Sequence, residues 1–110
     1  MLRRVVLPEA EEELRAALAW YEDRQPGLGL ELLGAVEAAM EQAVSSPLRW
    51  PIWELDARFR RVIVQRFPYL LFYELRHDAI EFVAVAHGRR EPGYWLGRTD
   101  ASESDGDELR

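Results

Sequence analysis

The side chains best equipped for chemistry sit late in the chain. His87 ends an apolar run, Gly88 follows, and Arg89 and Arg90 come next; Glu91-Pro92-Gly93 then turns into Tyr94 and Trp95. Guanidinium groups make bidentate contacts with carboxylates and phosphates. An imidazole donates, accepts or carries a proton near neutral pH, and flat rings offer area to a partner. Gathered at a strand end, such a set suits gripping an anionic or interfacial target. Arg58, Arg60, Arg61 and Arg66 precede it and Arg98 follows. The candidates for target contact are therefore Arg61, Arg66, His87, Arg89, Arg90, Tyr94, Trp95 and Arg98. Plainer roles compete with these. Alternation along a strand sends the upstream arginines to both faces, where some only solubilise an edge or pair with helix glutamates. His87 can equally cap the strand end, and Tyr94 and Trp95 can pack back over the sheet with their polar tips left available.

Other chemistries find little support. His77 and His87 are the only histidines and there is no cysteine, which is a poor metal-ligand set. His77 stands beside Asp78 and reads as an exposed turn residue. All 14 cations are arginine, so no lysine is present for general-base or Schiff-base work. A phosphate-cradling glycine loop, a nucleophile elbow and a triad signature are all missing. No metal and no cofactor is expected.

The elements that must position these residues follow from composition and periodicity. A chain of 110 residues, 48% of them hydrophobic, suits one domain with a real core. The longest apolar runs fall far short of the ~20 residues of a membrane span, so no membrane partner and a cytoplasmic setting are expected. The net charge of −6 is uneven: residues 1–56 hold 5 arginines and 11 acids, residues 57–99 hold 8 and 4, and residues 100–110 hold 1 and 5. The middle third is thus basic between acidic neighbours. A net negative chain also argues against indiscriminate nucleic-acid binding.

A short strand is expected over 2–7. Pro8 and the glutamates 9, 11, 12 and 13 open a helix whose apolar stripe runs Ala10, Leu14, Ala17, Leu18, Tyr21. Gln25-Pro26-Gly27 ends it. A second helix over 28–44 stops before Pro47, and its wide apolar face predicts packing on both the first helix and a sheet. Residues 45–56 form a linker whose Trp50 and Trp53 should close over the core edge. Three β segments follow, over 58–67, 69–76 and 79–87, with Pro68 breaking the first pair and His77-Asp78 turning the second. A two-residue turn puts Tyr69, Leu71, Tyr73 and Leu75 on the helix-facing side with Ile80, Phe82, Ala84 and Ala86. It leaves His87 on an open face and sets Glu74 opposite Glu81. One domain over 1–99 and an acidic, unstructured tail over 100–110 complete the expectation.

This order of elements, Ser46-Pro47 closing the second helix, Arg66-Phe67-Pro68-Tyr69-Leu70-Leu71-Phe72-Tyr73 across the hairpin, and Val85-Ala86-His87-Gly88-Arg89-Arg90 leaving the last strand together resemble the RelE/ParE superfamily of type II toxin–antitoxin toxins, the ParE-like branch in particular. The resemblance implies an α+β fold with two helices on one face of the sheet. It implies a toxin neutralised by a cognate antitoxin in a hetero-oligomer, with the antitoxin laid over the hairpin groove or a sheet edge. Two modes of action go with the family. ParE-like members are described as inhibitors of DNA gyrase that bind without catalysing. RelE-like members are described as ribosome-dependent mRNA endonucleases, for which the candidates here are His87, Arg90, Arg61 and Tyr94. Leu70 matches the position of an arginine that helps stabilise the phosphate transition state in RelE-like toxins, and the lysines of that active site have no counterpart. Removing one such stabilising group costs about 10²–10³ in rate, so the gyrase reading is preferred. The endonuclease is the alternative, and an inactive interaction module of the same fold a third.

Overall fold

The computed structural model describes residues 2–98. Strand β1 (Arg3–Val6) leads into helix α1 (Pro8–Arg24), helix α2 (Leu28–Ser45) returns antiparallel to it, and strands β2 (Phe59–Ile63), β3 (Tyr69–Arg76) and β4 (Ala79–His87) form a meander. The sheet order is β1-β4-β3-β2, with β1 parallel to β4 and the other pairs antiparallel. Two helices on one face of this mixed sheet make the α+β arrangement expected from the sequence. The expected tail over 100–110 lies outside the described residues.

Local chemistry sets the helix ends. Pro8 occupies the first turn of α1, where its missing N–H is no loss, with Glu9 and Glu11 beside the positive end of the dipole. Gly27 takes the left-handed conformation at φ 92° to turn the hairpin. Glu22 on α1 then accepts the N–H groups of Gly27 and Gly29, both at 3.0 Å, and so caps α2 from its neighbour. A Cβ at Gly29 would lie 2.9 Å from the Leu18 carbonyl oxygen, which shows how closely the two helices approach there. Leu32, Val36, Met40 and Ala43 of α2 meet Ala10 and Ala17 of α1 over Val62, Leu71, Tyr73, Ile80 and Phe82 of the sheet. The buried Tyr73 hydroxyl donates to the Pro47 carbonyl at 2.7 Å, and burial pushes its pKa up to about 12.

Strand β2 is shorter than expected. After Val64, whose N–H still reaches the Tyr69 carbonyl at 3.0 Å, the chain enters a loop in which Arg66 adopts φ 72°. Pro68 has no N–H to extend the ladder.

The register corrects one face assignment. Tyr73 faces Phe82 as anticipated, but Phe72 then faces Ala84, so Val83 forms a β-bulge. Beyond it the helix-facing partners are Leu71 with Val85 and Tyr69 with His87, while Ala84 and Ala86 turn to the opposite side. His87 is therefore on the helix face. That opposite side is also covered: Trp53 and Trp95 lie over Phe59, Phe72, Val83, Ala84 and Ala86 as a second core. Trp53 comes from the linker, as expected of it, and Trp50 packs at the edge of the first core. Glu74 does face Glu81, and Arg76 stands 3.8 Å from the Glu81 carboxylate to relieve the repulsion.

Candidate functional site: a two-sided rim at the end of the last strand

Strand β4 ends between two grooves, one on each face of the sheet. The helix-side groove, about 440 Å³, runs along α1 and is walled by Ala16, Trp20, Tyr21 and Tyr69. The other groove, about 200 Å³, has Leu70, Phe72 and Ala86 as its floor and Arg61 on its far side. His87, Arg90 and Tyr94 line both and form the wall between them. The second groove is balanced in charge, because Glu54 and Glu91 line it beside Arg61 and Arg90.

The residues after β4 are held by short backbone turns. Gly88 N–H donates to the Pro68 carbonyl at 2.8 Å and Arg90 N–H to the His87 carbonyl at 3.0 Å. The His87 ring sits edge-on to Tyr69, with centroids 5.2 Å apart, and its Nδ1 accepts the Arg89 N–H at 3.0 Å. In the neutral imidazole the proton is thereby assigned to Nε2. The Arg90 guanidinium lies 3.9 Å from the centre of the Tyr94 ring, a cation–π contact that leaves its hydrogen-bond donors free.

Tyr94 is less available than its sequence position suggests. Its hydroxyl donates to Glu13 on α1, and its pKa is raised well above the ordinary phenol value by burial and then by that carboxylate. Burial pushes Glu13 up, but hydrogen bonds from Arg98, Tyr94 and the Val85 N–H outweigh it and hold the carboxyl below its usual range. Arg98 grips both Glu13 oxygens, at 3.1 and 3.0 Å, and donates to the Val83 carbonyl at 2.8 Å.

The eight sequence candidates thus separate. His87, Arg90, Tyr94 and Arg61 converge on the grooves, and Arg89 is exposed next to them. Arg66 stands apart in the β2–β3 loop, paired with Glu31 of α2 at 2.6 Å. Trp95 is 2% exposed and belongs to the second core, with its ring 4.6 Å from Phe72 and 4.7 Å from Phe59. Arg98 is turned inward to Glu13. Glu13 was missed by the sequence reading, although its place on α1 signals it: three residues after Ala10 and four before Ala17, it falls on the buried stripe.

A helical hairpin laid on a mixed four-stranded sheet, with an arginine- and aromatic-lined rim where the last strand leaves it, is the architecture implied for RelE/ParE toxins. Within that class the chain belongs to the ParE toxin family: the family described as "ParE toxin of type II toxin-antitoxin system, parDE" matches residues 5–92. Among solved structures, a chain of the "Chromosomal ParDE TA system from P. aeruginosa" aligns with a TM-score of 0.70 and 14% identity, covering 79% of this chain and 96% of that one. Identity that low speaks for the fold alone. No curated protein sequence matches the chain. Membership makes this a ParE-type toxin of a toxin–antitoxin system, with an antitoxin as its implied partner. Among the described residues, no helix is long and apolar enough to cross a membrane.

Proposed function

We propose that this toxin acts by binding an essential cytoplasmic protein target, DNA gyrase, and that the rim at the end of β4 is the surface it uses. One observation carries the reading. The groove on the second face has an apolar floor of Leu70, Phe72 and Ala86 with two arginines and two glutamates around it. Protein interfaces have this anatomy, an apolar centre inside a polar rim in which arginine and aromatic residues are frequent. An RNA-cleaving centre needs donors aimed at a phosphate that gains charge, and Leu70 puts a methyl-tipped chain at the centre of this one.

The rival endonuclease reading has His87, Arg90 and Arg61 around the same groove in its favour. Purified toxin added to a gyrase supercoiling reaction separates the two, together with mapping of mRNA 5′ ends after induction in a bacterium. The binding mode predicts loss of supercoiling and no new RNA ends. New ends that disappear in His87→Ala or Arg90→Ala, with supercoiling intact, would replace it by the nuclease. Harmless expression without any antitoxin would leave an inactive member of the fold.

A further inference from the structure

Strand β1 ends at Val6, opposite Phe82, and the Leu7 N–H makes the last backbone bond on that side of β4, to the Phe82 carbonyl at 3.0 Å. The bulge at Val83 follows at once, and two backbone groups of β4 beyond the end of β1 are taken by side chains instead. Arg98 Nη1 donates to the Val83 carbonyl at 2.8 Å, and Glu13 Oε1 accepts the Val85 N–H at 3.0 Å. The two side chains also hold each other, so a helix carboxylate and a guanidinium from the last described turn stand in for the missing strand. The second Glu13 oxygen takes the Tyr94 hydroxyl. The Tyr94 ring in turn carries the Arg90 guanidinium at 3.9 Å. A continuous path of contacts thus leads from α1 to the cation that stands between the two grooves.

We propose that Glu13 is a positioning residue for the toxin's target-binding rim: by holding Arg98 and Tyr94 it fastens residues 91–98 to α1 and β4, and through the Tyr94 ring it fixes where the Arg90 guanidinium stands. The proposal rests on the rim being the target surface. An arginine already held in place loses less side-chain freedom on binding than one that wanders, and this difference is what Glu13 supplies to affinity. Residues 91–98 would otherwise be tied to the body mainly through Trp95, which anchors the backbone but leaves the Tyr94 ring free to turn.

The test uses the full chain as Glu13→Gln, Tyr94→Phe and Arg90→Ala. In the native protein the Tyr94 ring, 3.9 Å from the Arg90 guanidinium, should displace the Arg90 side-chain proton resonances by its ring current. In Glu13→Gln these resonances are expected to move toward their free-peptide positions while the Trp95 indole signal stays in place, a pattern that mere loss of stability does not produce. Growth arrest after induction should need about tenfold more Glu13→Gln protein than native toxin. Tyr94→Phe, which removes only the hydroxyl, should show the same two changes to a smaller degree, and it decides the matter if Glu13→Gln does not fold. Unmoved Arg90 resonances in the variants overturn the proposal. So does native-level toxicity of Glu13→Gln when Arg90→Ala has lost its own. If Arg90→Ala remains fully toxic, the rim reading falls instead, and the Arg90 resonances alone decide whether Glu13 positions that side chain.

Discussion

Replacing Trp95 by alanine should remove a large part of the protein's stability. The indole is 2% exposed and lies 4.9 Å from Trp53, 4.7 Å from Phe59 and 4.6 Å from Phe72 between ring centroids. Burying a tryptophan removes about 150–250 Å² from water, which at about 25 cal/mol per Å² corresponds to ~4–6 kcal/mol. Part of that returns because the turns around Trp95 can settle into the space, and Trp→Ala changes in cores cost about 3–5 kcal/mol. Domains of this size have only ~5–15 kcal/mol in total, so the midpoint of thermal unfolding should fall by roughly 10–25 °C. Far-UV circular dichroism during urea and thermal unfolding would measure it, with an unchanged denaturant slope showing that the native state stays compact. Trp95→Phe keeps an aromatic ring in the site and should cost about half as much. It also separates stability from contact, because a stable and fully toxic Trp95→Phe shows that this side chain serves the second core and not the target. A loss below ~1 kcal/mol in Trp95→Ala would refute the reasoning: the second face of the sheet would then be loosely covered, and its aromatic residues available for other work.

Other consequences can be tested on the same protein. Gly29→Ala should cost ~1–3 kcal/mol because its Cβ would meet the Leu18 carbonyl at 2.9 Å, whereas Gly34→Ala, with nothing within 4 Å, should gain ~0.5–1 kcal/mol from helix propensity; urea midpoints of the two variants would then move in opposite directions. Glu13 has a folded pKa below its unfolded value, so its stabilising contribution is fully present above the unfolded pKa and is lost as pH falls through the lowered one. Asp56 is lowered too, by Arg58, so the difference between native protein and Glu13→Gln isolates the Glu13 part in pH-dependent unfolding. Because the rim groove is lined by two arginines and two glutamates, target affinity should change less than tenfold between about 50 and about 200 mM salt, a range over which phosphate-neutralising complexes lose about 10³ or more. A steep salt dependence would mean that nucleic-acid backbone is being contacted.

Much of the fold was legible because its boundaries are made by residues with fixed local habits. Pro8, Pro26-Gly27, Pro68 and His77-Asp78 mark where elements start or stop, and β3 begins and ends, and β4 begins, where these residues say they must. The side assignments along β4 were not legible. From Phe82 to Ala86 every residue is apolar and buried, so no alternation of polar and apolar residues selects a register, and a bulge at Val83 leaves no trace in the pattern. That one extra residue carries His87 to the helix face. The second core was hidden for a related reason. Trp53 and Trp95 announce large areas to bury, but nothing in a linker or a turn tells which face of a sheet they will reach.

The distribution of ion pairs explains why the rim keeps guanidinium groups with unengaged hydrogen-bond donors. The acids of the helices take up arginines, mostly from other elements: Glu37 and Glu41 face Arg4, Glu31 holds Arg66 and Glu13 holds Arg98, while Glu11 and Glu12 flank Arg15 of their own helix. In the loops, Asp56 holds Arg58 and Asp78 faces Arg3. Apart from the inward-turned Glu13–Arg98 pair, the exposed ones contribute at most about 1 kcal/mol each, so the core, not these surface pairs, holds the fold together. Their effect is on the map of charge. They neutralise guanidinium groups over most of the surface, while Arg24 and Arg49 lie against Trp20 and Trp50. Arg60 spends its guanidinium on the Leu48 and Trp50 carbonyls; among the described residues, Arg61 and Arg89 are left with no carboxylate, carbonyl or ring against their guanidinium groups, and Arg90 has only the Tyr94 ring. Arg61 and Arg90 line one groove, and Arg89 precedes Arg90 at its edge. An acidic protein thereby keeps a local set of unspent hydrogen-bond donors beside an apolar floor, and any partner that fills that floor must also meet them.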